Sequence, residues 1–252
     1  MNGPLGANGI RLRSRRFCPV TCLPGRFART RAPRNRRCTR RLPERRVETH
    51  AVRIADDEIR EKYLERAIRE LGEVEREVRE CSSCQASNRA PVLSSGHPQA
   101  DIMLIGYEPS EAEMQEGVAF YGRAGAAILA SLKRLEIDPT TIYGTLIVKC
   151  PKVDDQHTDT PLSKLLIREI AIVQPRVVIV LGERALGALN ALDVPLARPL
   201  RWAPGEIQRF TPASEAIVVP DIHQSLDEEN AKRAFWTAFR QLKRWYDDQP
   251  PW

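Results

Sequence analysis

The run RVVIVLG at residues 176–182 sets the architecture of the chain. It is an apolar, β-branched stretch that lies between Pro175 and the glycine that ends it. Three other runs have the same character: DIMLIG (101–106), TLIVKC (145–150) and AIVVP (216–220). Short apolar runs bounded by Gly or Pro are typical of strands that are buried on both faces of a parallel sheet.

In the segments between these runs, apolar residues recur with the period of an α-helix. This periodicity predicts helices at about 123–135, 161–173, 183–191 and 226–246, and a charged helix over roughly 56–80 before the first strand. The apolar face of that first helix is formed at three- and four-residue steps by Tyr63, Ala67, Leu71, Val74 and Val78. The predicted fold class is therefore α/β, with helices on both sides of a mainly parallel sheet.

The loops that follow the four strands are the expected place for a ligand, because open α/β sheets bind ligands at the carboxyl ends of their strands. The first of these loops ends in FYGRAG, where a helix is predicted to begin near Gly122. Free amide groups at a helix start can receive an anion, with Arg123 beside it. An ordinary strand-to-helix connection is the alternative interpretation.

Two side chains in these loops have chemistry suited to a base or an anion. Phe120 can stack on a base or sugar, although an aromatic residue in the core is at least as common. His223, in DIHQSL, can donate a hydrogen bond to an oxygen that becomes negative during a reaction. A histidine that serves only as a satisfied polar residue is the alternative.

The net positive charge of the chain comes from its first 50 residues. They contain 14 of the 39 basic residues, all arginine, and 2 of the 33 acids, so they carry +12 and leave −6 on the remainder. With scattered proline and no apolar period, residues 1–50 are predicted to be a disordered tail before a domain at 51–250. Such an arm can attract phosphates. A nonfunctional extension, an overextended gene start and a transit peptide are the alternatives.

The sequence predicts a cytoplasmic protein without membrane association. No run approaches the roughly 18 apolar residues of a membrane helix, and the amino terminus lacks the apolar core of a secretory signal. Six cysteines in such a chain argue against a disulfide framework. Cys81 and Cys84 have the spacing of metal-thiolate ligands, and Cys150 is a third cysteine at a strand end.

Taken in order, six segments resemble the iron–sulfur uracil-DNA glycosylases of family four: REVRECSSC, GHPQADIMLIG, EGVAFYGRAGAAILASLKRLEID, IYGTLIVKCPK, IVQPRVVIVLGERALGAL and IVVPDIHQSL. The resemblance covers about residues 57–246. It implies a three-layer fold around a four-stranded parallel sheet. It also implies a monomeric enzyme that extrudes uracil from single-stranded or mismatched DNA and hydrolyses its N-glycosidic bond.

The resemblance also implies roles for individual residues. Phe120 would stack on the extruded base, and His223 would hydrogen-bond the departing base anion. The backbone at Gly106 and Tyr107 would line the base pocket.

Other positions would contact DNA or metal. Ser225 would stand near a DNA phosphate, and Arg123 is the second residue expected to bind DNA. Cys81, Cys84 and Cys150 would be three ligands of an iron–sulfur cluster.

Three departures from the family pattern affect the expected chemistry. The family has an acid directly after the glycine that is Gly106 here, whereas this chain has Tyr107 and places Glu108 one position later. Leu146 occupies the place of an asparagine that reads the uracil edge, and leucine cannot make those hydrogen bonds. A fourth cluster cysteine is expected within 161–167, and PLSKLLI contains none.

These departures leave several hypotheses open. In the first, Glu108 orients the water of a divergent glycosylase with altered base preference. In the second, the pocket is inactive and the protein binds nucleic acid or a partner. In the third, the scaffold binds another nucleobase or a small ligand. For the cluster, His157 or Cys38 could replace the missing ligand, and weak or absent iron binding is the expectation. An unrelated α/β domain that matches by chance is the remaining alternative.

Overall fold

The computed structural model describes residues 45–81, 90–150 and 163–249, and the side chains of the first helix from Asp57 onward. The fold is that of the unit that begins at Val47. Among these segments, no helix is long and apolar enough to span a membrane.

In this part of the chain the sheet has six strands: β1 (Ser95–Gly96), β2 (Ile102–Gly106), β3 (Ile142–Leu146), β4 (Val177–Leu181), β5 (Ile207–Arg209) and β6 (Glu215–Val219). Their order is β1-β3-β2-β4-β6-β5. The four central strands are parallel, and β1 and β5 are antiparallel edges. The predicted parallel sheet is confirmed. The edge strands were not predicted, because two or three residues without an apolar run give no strand signal.

The described helices are α1 (Arg45–Arg79), α2 (Glu111–Glu116), α3 (Gly122–Arg134), α4 (Ser163–Val173), α5 (Glu183–Asn190), α6 (Ile222–Asp227) and α7 (Glu229–Asp247). Helices α3, α4 and α5 lie within two residues of their predicted bounds. The helix predicted at 226–246 is instead two helices, because Glu228 is extended, with φ −117° and ψ 123°. Helix α1 begins at Arg45, inside the segment that composition assigned to the tail.

Successive residues of the parallel strands enter two separate cores. Met103 and Val178 face α1, α4 and α5, whereas Leu104 and Ile179 face α3, α6 and α7. All four side chains are almost completely buried. This confirms the three-layer α/β/α arrangement, and it explains why each of these strands is apolar at consecutive positions rather than at alternate ones.

The apolar face of α1 is confirmed except at its first member. Ala67, Leu71, Val74 and Val78 are buried, but the side chain of Tyr63 is 60% exposed. At this end the helix borders an open groove instead of a packed layer, and Tyr63 is one of the groove residues.

The strand predicted at 145–150 is displaced toward the amino terminus, since β3 ends at Leu146. The amides of Ile147 and Val148 still donate to the carbonyls of Gly106 and Tyr107, at 3.0 and 2.8 Å, but outside regular strand pairing. Lys149 follows three residues after the end of β3 and is 1% exposed, so its side chain lies inside the protein.

A buried ion pair joins this segment to α4. Lys149 Nζ lies 2.9 Å from Glu169 Oε2, and the two side chains are 1% and 2% exposed. The ammonium group also donates to Thr145 Oγ1 and, at 3.1 Å, to the carbonyl of Leu146. Burial and then the charge of Glu169 raise the pKa of Tyr143, so its hydroxyl stays protonated and donates to Glu169. This hydrogen-bond network connects the end of β3 to α4 and stabilises its position.

We expect Glu169→Gln or Lys149→Met to lower the free energy of unfolding by about 3–5 kcal/mol, because either change leaves one buried charge without its partner. The double variant Lys149→Met/Glu169→Leu should lose less than either single variant, since it leaves neither charge. Urea unfolding measures all three. A loss below about 1 kcal/mol in both single variants would show that water reaches this network.

Candidate active site

A cavity of about 210 Å³ opens at the carboxyl ends of the parallel strands. It lies between β2 and β4, where the chain turns to opposite sides of the sheet, so it occupies the topological switch point. Its lining comes from the ends of β2, β3 and β4 and from the loops that follow β2, β4 and β6: Gly106, Tyr107, Glu108, Pro109, Ser110, Glu113, Phe120, Leu146, Leu181, Arg184, Asp221, Ile222 and His223.

The structure brings together the residues that the sequence assigned to base binding and catalysis. These are Gly106, Tyr107, Glu108, Phe120, Leu146 and His223, and all six line this cavity. Arg123 and Ser225, which were assigned to DNA, do not line it. The location of the cavity therefore follows the prediction, while the role of each residue stays a prediction.

Phe120 packs closely against two glycines, Gly144 and Gly125, and its position depends on their lack of side chains. A Cβ at Gly144 would lie 2.5 Å from the Phe120 ring, and a Cβ at Gly125 would lie 1.5 Å from the Phe120 carbonyl oxygen. Any side chain at either position would displace the phenylalanine. The ring packs against the core on one side and is half-exposed to the cavity on the other.

The backbone of Phe120 is held in the left-handed region, with φ +58°. For a residue other than glycine this conformation costs of order 1–3 kcal/mol, so surrounding contacts must enforce it. Glu113 supplies one such contact, because its Oε1 accepts the Phe120 amide proton at 2.5 Å. Its Oε2 accepts from the amide and the hydroxyl of Ser110, each at 2.7 Å. The Glu113 carboxylate is 1% exposed and has a donor on both oxygens.

Leu146 gives the cavity an apolar wall. Its side chain is 3% exposed and packs with Val92, Ala119 and Phe120. It lies directly over Gly106, where a Cβ would be 2.7 Å from the leucine methyl group. Unlike the asparagine expected at this position, this wall has no side-chain donor or acceptor for the edge of a base.

Glu108 reaches the cavity already paired with a cation. Its two carboxylate oxygens lie 2.5 and 3.5 Å from the guanidinium nitrogens of Arg184. The same guanidinium group lies 4.2 Å above the center of the Tyr107 ring. This stack holds Arg184, whose side chain is 60% exposed, at the mouth of the cavity.

The loop after β6 brings Asp221 and His223 into the cavity together. Asp221 is the N-cap of α6, and its Oδ1 accepts the amide proton of His223 at 2.8 Å. The His223 imidazole is half-buried and makes no hydrogen bond to any other described residue. It is therefore available to a ligand.

The two residues assigned to DNA have other contacts. The Arg123 side chain is 74% exposed at the start of α3 and pairs with Asp227 at 3.1 Å, which links α3 to α6, the helix that carries His223. Ser225 is 3% exposed, and its hydroxyl donates to the carbonyl of Asp221 at 2.7 Å. In this arrangement Ser225 stabilises the turn.

Sequence reasoning missed three charged residues of the cavity: Glu113, Arg184 and Asp221. Glu113 had a detectable signal, because Ser110 and Glu113 form a capping box with the S-x-x-E spacing at the start of α2. Arg184 stands in the first turn of α5, directly after the end of β4, in the segment that the strand-end rule indicates. Asp221 is a typical N-cap residue, but a cap signal does not predict that the carboxylate faces a ligand.

The cysteines lie in a separate small core beside α1. Cys81 Sγ and Cys150 Sγ are 3.7 Å apart and pack with Val74, Val78 and Leu165. Cys84 and His157 lie outside the described residues. An iron–sulfur cluster normally takes four cysteine ligands, and the described segments contain no group of three or more metal-binding side chains. The residues described here do not by themselves fit a cluster.

Comparisons with known proteins agree with this geometry. A model of the uracil DNA glycosylase superfamily matches residues 93–243, more than half of the chain. A type-4 uracil-DNA glycosylase of Sulfurisphaera tokodaii is 32% identical over 124 residues, which is 46% of this chain and 56% of that protein.

Two further type-4 uracil-DNA glycosylases are similar. The Saccharolobus solfataricus protein is 32% identical over 120 residues, 45% of this chain and 56% of the relative. The Pyrobaculum aerophilum protein is 27% identical over 124 residues, 46% of this chain and 62% of the relative. The matched segment thus spans little more than half the length of these relatives.

Replacing Glu113 with alanine should release Phe120. Because the buried amides of Ser110 and Phe120 lose their acceptor, we expect a loss of about 1–3 kcal/mol in the free energy of unfolding. Faster hydrogen exchange at the Phe120 amide should accompany it. The matched control is Glu111→Ala, which removes an exposed acid from the same helix. Equal losses in both variants, or an unchanged Phe120 amide, would contradict this role.

Proposed function

The chain belongs to the uracil-DNA glycosylase superfamily, and for that reason we propose that it removes uracil or a related base from DNA by hydrolysing the N-glycosidic bond. The observation that supports this most directly is the cavity that Phe120 and His223 share. It combines a half-exposed aromatic face with an imidazole that no other described residue engages.

A base must leave the DNA stack to enter a cavity at the end of a sheet. The Phe120 ring would offer the extruded base a stacking partner in place of its neighbours in DNA. Since the ring is fixed by Glu113 and by the close approach of Gly144, it is oriented before the base arrives. This order would reduce the entropy that binding costs.

His223 would act on the leaving group. As the bond between the sugar and the base breaks, negative charge develops on the base, and a donor fixed in a partly buried site stabilises that charge. The amide of His223 donates to Asp221, so the cap of α6 fixes the backbone from which the imidazole extends. The positive charge that develops on the sugar calls for a carboxylate on the same side of the cavity.

DNA is the proposed partner, and two exposed arginines would contact its backbone, one at the mouth of the cavity and one at the start of α3. Arg184 and Arg123 are exposed, at 60% and 74% of their side-chain area. Each is paired with an acid, so phosphate would compete with Glu108 and Asp227 for them. The negative net charge of residues 51–250 would limit nonspecific attraction to DNA and favour weak, salt-sensitive binding.

An inactive nucleic-acid-binding module is the second candidate. Two observations favour it over an ordinary uracil-specific enzyme: Leu146 has no polar group for the base edge, and Glu108 is held by Arg184. Neither observation removes the stacking face or the histidine. Both functions use the same cavity, and turnover distinguishes them.

We expect the purified protein to form abasic sites in single-stranded or mismatched DNA that contains uracil or another deaminated base. His223→Ala should lower the rate about 10²–10³-fold, as does the loss of a donor to a developing anion in other hydrolases. Alkaline cleavage of end-labelled oligonucleotides measures the rate.

The matched control is His97→Ala, since His97 is exposed and lies at the opposite end of the sheet, where its amide donates to Ile142. This variant should keep full activity. Folded wild-type protein that binds these oligonucleotides without cleaving them would contradict the glycosylase proposal and support the inactive module.

For the cofactor, we propose that iron binding is weak or absent. Protein purified without oxygen should contain less than one iron and one sulfide per chain, because no cysteine occupies 161–167 and only two sulfurs meet among the described residues. Stoichiometric iron that is lost in Cys81→Ser would contradict this proposal and place the cluster beside α1.

A further inference from the structure

Three carboxylates line the cavity: Glu108, Glu113 and Asp221. They differ in the hydrogen-bond and ion-pair partners of their oxygens. Glu113 is almost completely buried, and its oxygens accept three hydrogen bonds from Ser110 and Phe120. A carboxylate with all these donors holds the local backbone and has little capacity left for a water molecule.

Glu108 is engaged by a charge. Both of its oxygens face the Arg184 guanidinium group, and that group is itself fixed on the Tyr107 ring. To accept a proton from water, Glu108 would have to give up a charge-assisted hydrogen bond.

Asp221 differs from both. Its Oδ1 accepts the amide proton of His223, while its Oδ2 accepts no hydrogen bond from any described residue. The side chain is half-buried and lies beside Gly182 at the end of β4, where an added Cβ would be 3.5 Å from Oδ2. The Gly182 amide donates to Val219 at 2.8 Å and fixes the spacing of the two strand ends.

From these contacts we infer that Asp221, rather than Glu108, supplies the carboxylate that orients and deprotonates the attacking water. The inference rests on the proposed function. It assigns the acid to the loop after β6, so that the acid and His223 belong to one turn and are positioned by the same cap.

Hydrolysis at this carboxylate replaces one bond at C1′ of the sugar with another. The oxygen of the water forms a bond to C1′ of the sugar, and the bond from C1′ to the base nitrogen breaks, with its electron pair leaving on the base. One water proton passes to Asp221 Oδ2. His223 donates a hydrogen bond to the base anion, which takes up a proton from solvent, and the sugar keeps a hydroxyl group at C1′. The negative charge of Asp221 also stabilises the positive sugar.

The test compares Asp221→Asn with Glu108→Gln on oligonucleotides that contain uracil. Asparagine is as good an N-cap as aspartate, so Asp221→Asn should keep α6 and the His223 amide in place while removing the proton acceptor. We expect kcat to fall about 10²-fold or more with KM nearly unchanged. Glu108→Gln frees Arg184 and should change KM for DNA more than kcat.

A second variant and a matched control distinguish loss of the carboxylate from loss of the helix cap. Asp221→Ser also retains a capping side chain without a carboxylate and should lose activity like Asp221→Asn. Asp138→Asn changes another aspartate N-cap, which accepts from Thr140 at 2.9 Å and lies away from the cavity, and it should leave kcat unchanged. Circular dichroism and thermal unfolding verify the fold of each variant.

The dependence of kcat on pH gives an independent readout. The titratable and charged groups that line the cavity with Asp221 are Tyr107, Glu108, Glu113, Arg184 and His223. The wild-type rate should fall on the acid side as the carboxylate that accepts the proton becomes protonated. That fall should persist in Glu108→Gln and disappear from the residual activity of Asp221→Asn.

The outcomes separate this inference from the proposed function. Activity in the wild type with an undiminished kcat in Asp221→Asn overturns the assignment of Asp221 alone. A large loss of kcat in Glu108→Gln with retained activity in Asp221→Asn returns the role to Glu108. A folded wild type without activity on any of these substrates overturns both proposals.

Discussion

Burial of the four parallel strands on both faces is the constraint on which the rest of this structure depends. Since helices cover Met103 on one side and Leu104 on the other, no strand face remains for a ligand. The strands are parallel, so the loops that follow them all leave at one edge of the sheet. The cavity at this edge is therefore assembled from strand ends, loops and the first turns of helices, each fixed by its own local contacts.

Some polar groups of the cavity are engaged in contacts that hold the loops, whereas others remain available to a ligand. Glu113 and Arg184 are engaged in holding Phe120 and the Tyr107 loop. Beneath them, Lys149 and Glu169 fix the end of β3 without reaching the cavity. Among the described residues, Asp221 Oδ2 and the His223 imidazole are without a hydrogen-bond partner, and both residues lie at the start of α6. The same helix is linked to α3 through the pair between Arg123 and Asp227.

The sequence predicts the sheet well because its signal is local: four apolar runs between Gly and Pro residues define the parallel strands. The short edge strands have no such signal, since their pairing depends on neighbours distant in sequence. Tyr63 shows the related error on a helix, where periodicity gives the apolar face but not the point at which the packed layer ends.

For the site, the strand-end rule and the family pattern located six lining residues. They could not show that Glu108 faces Arg184, which lies 76 residues away along the chain. They also could not show which acid keeps an oxygen that accepts no hydrogen bond from the described residues. Those properties arise only from side chains that tertiary folding brings together, so composition and spacing carry no trace of them.

The apolar wall formed by Leu146 has a consequence for how a substrate would be chosen. A wall without donors or acceptors makes no hydrogen bonds that differ between base edges. It therefore contributes little to discrimination between bases inside the cavity. If the chain removes bases from DNA as proposed, selection would fall on the step before entry, where the DNA itself sets the cost of extruding each base. That cost is smallest for mismatched, damaged or unpaired bases. A cavity of this kind would sense how loosely a base is held in the helix rather than the identity of the base.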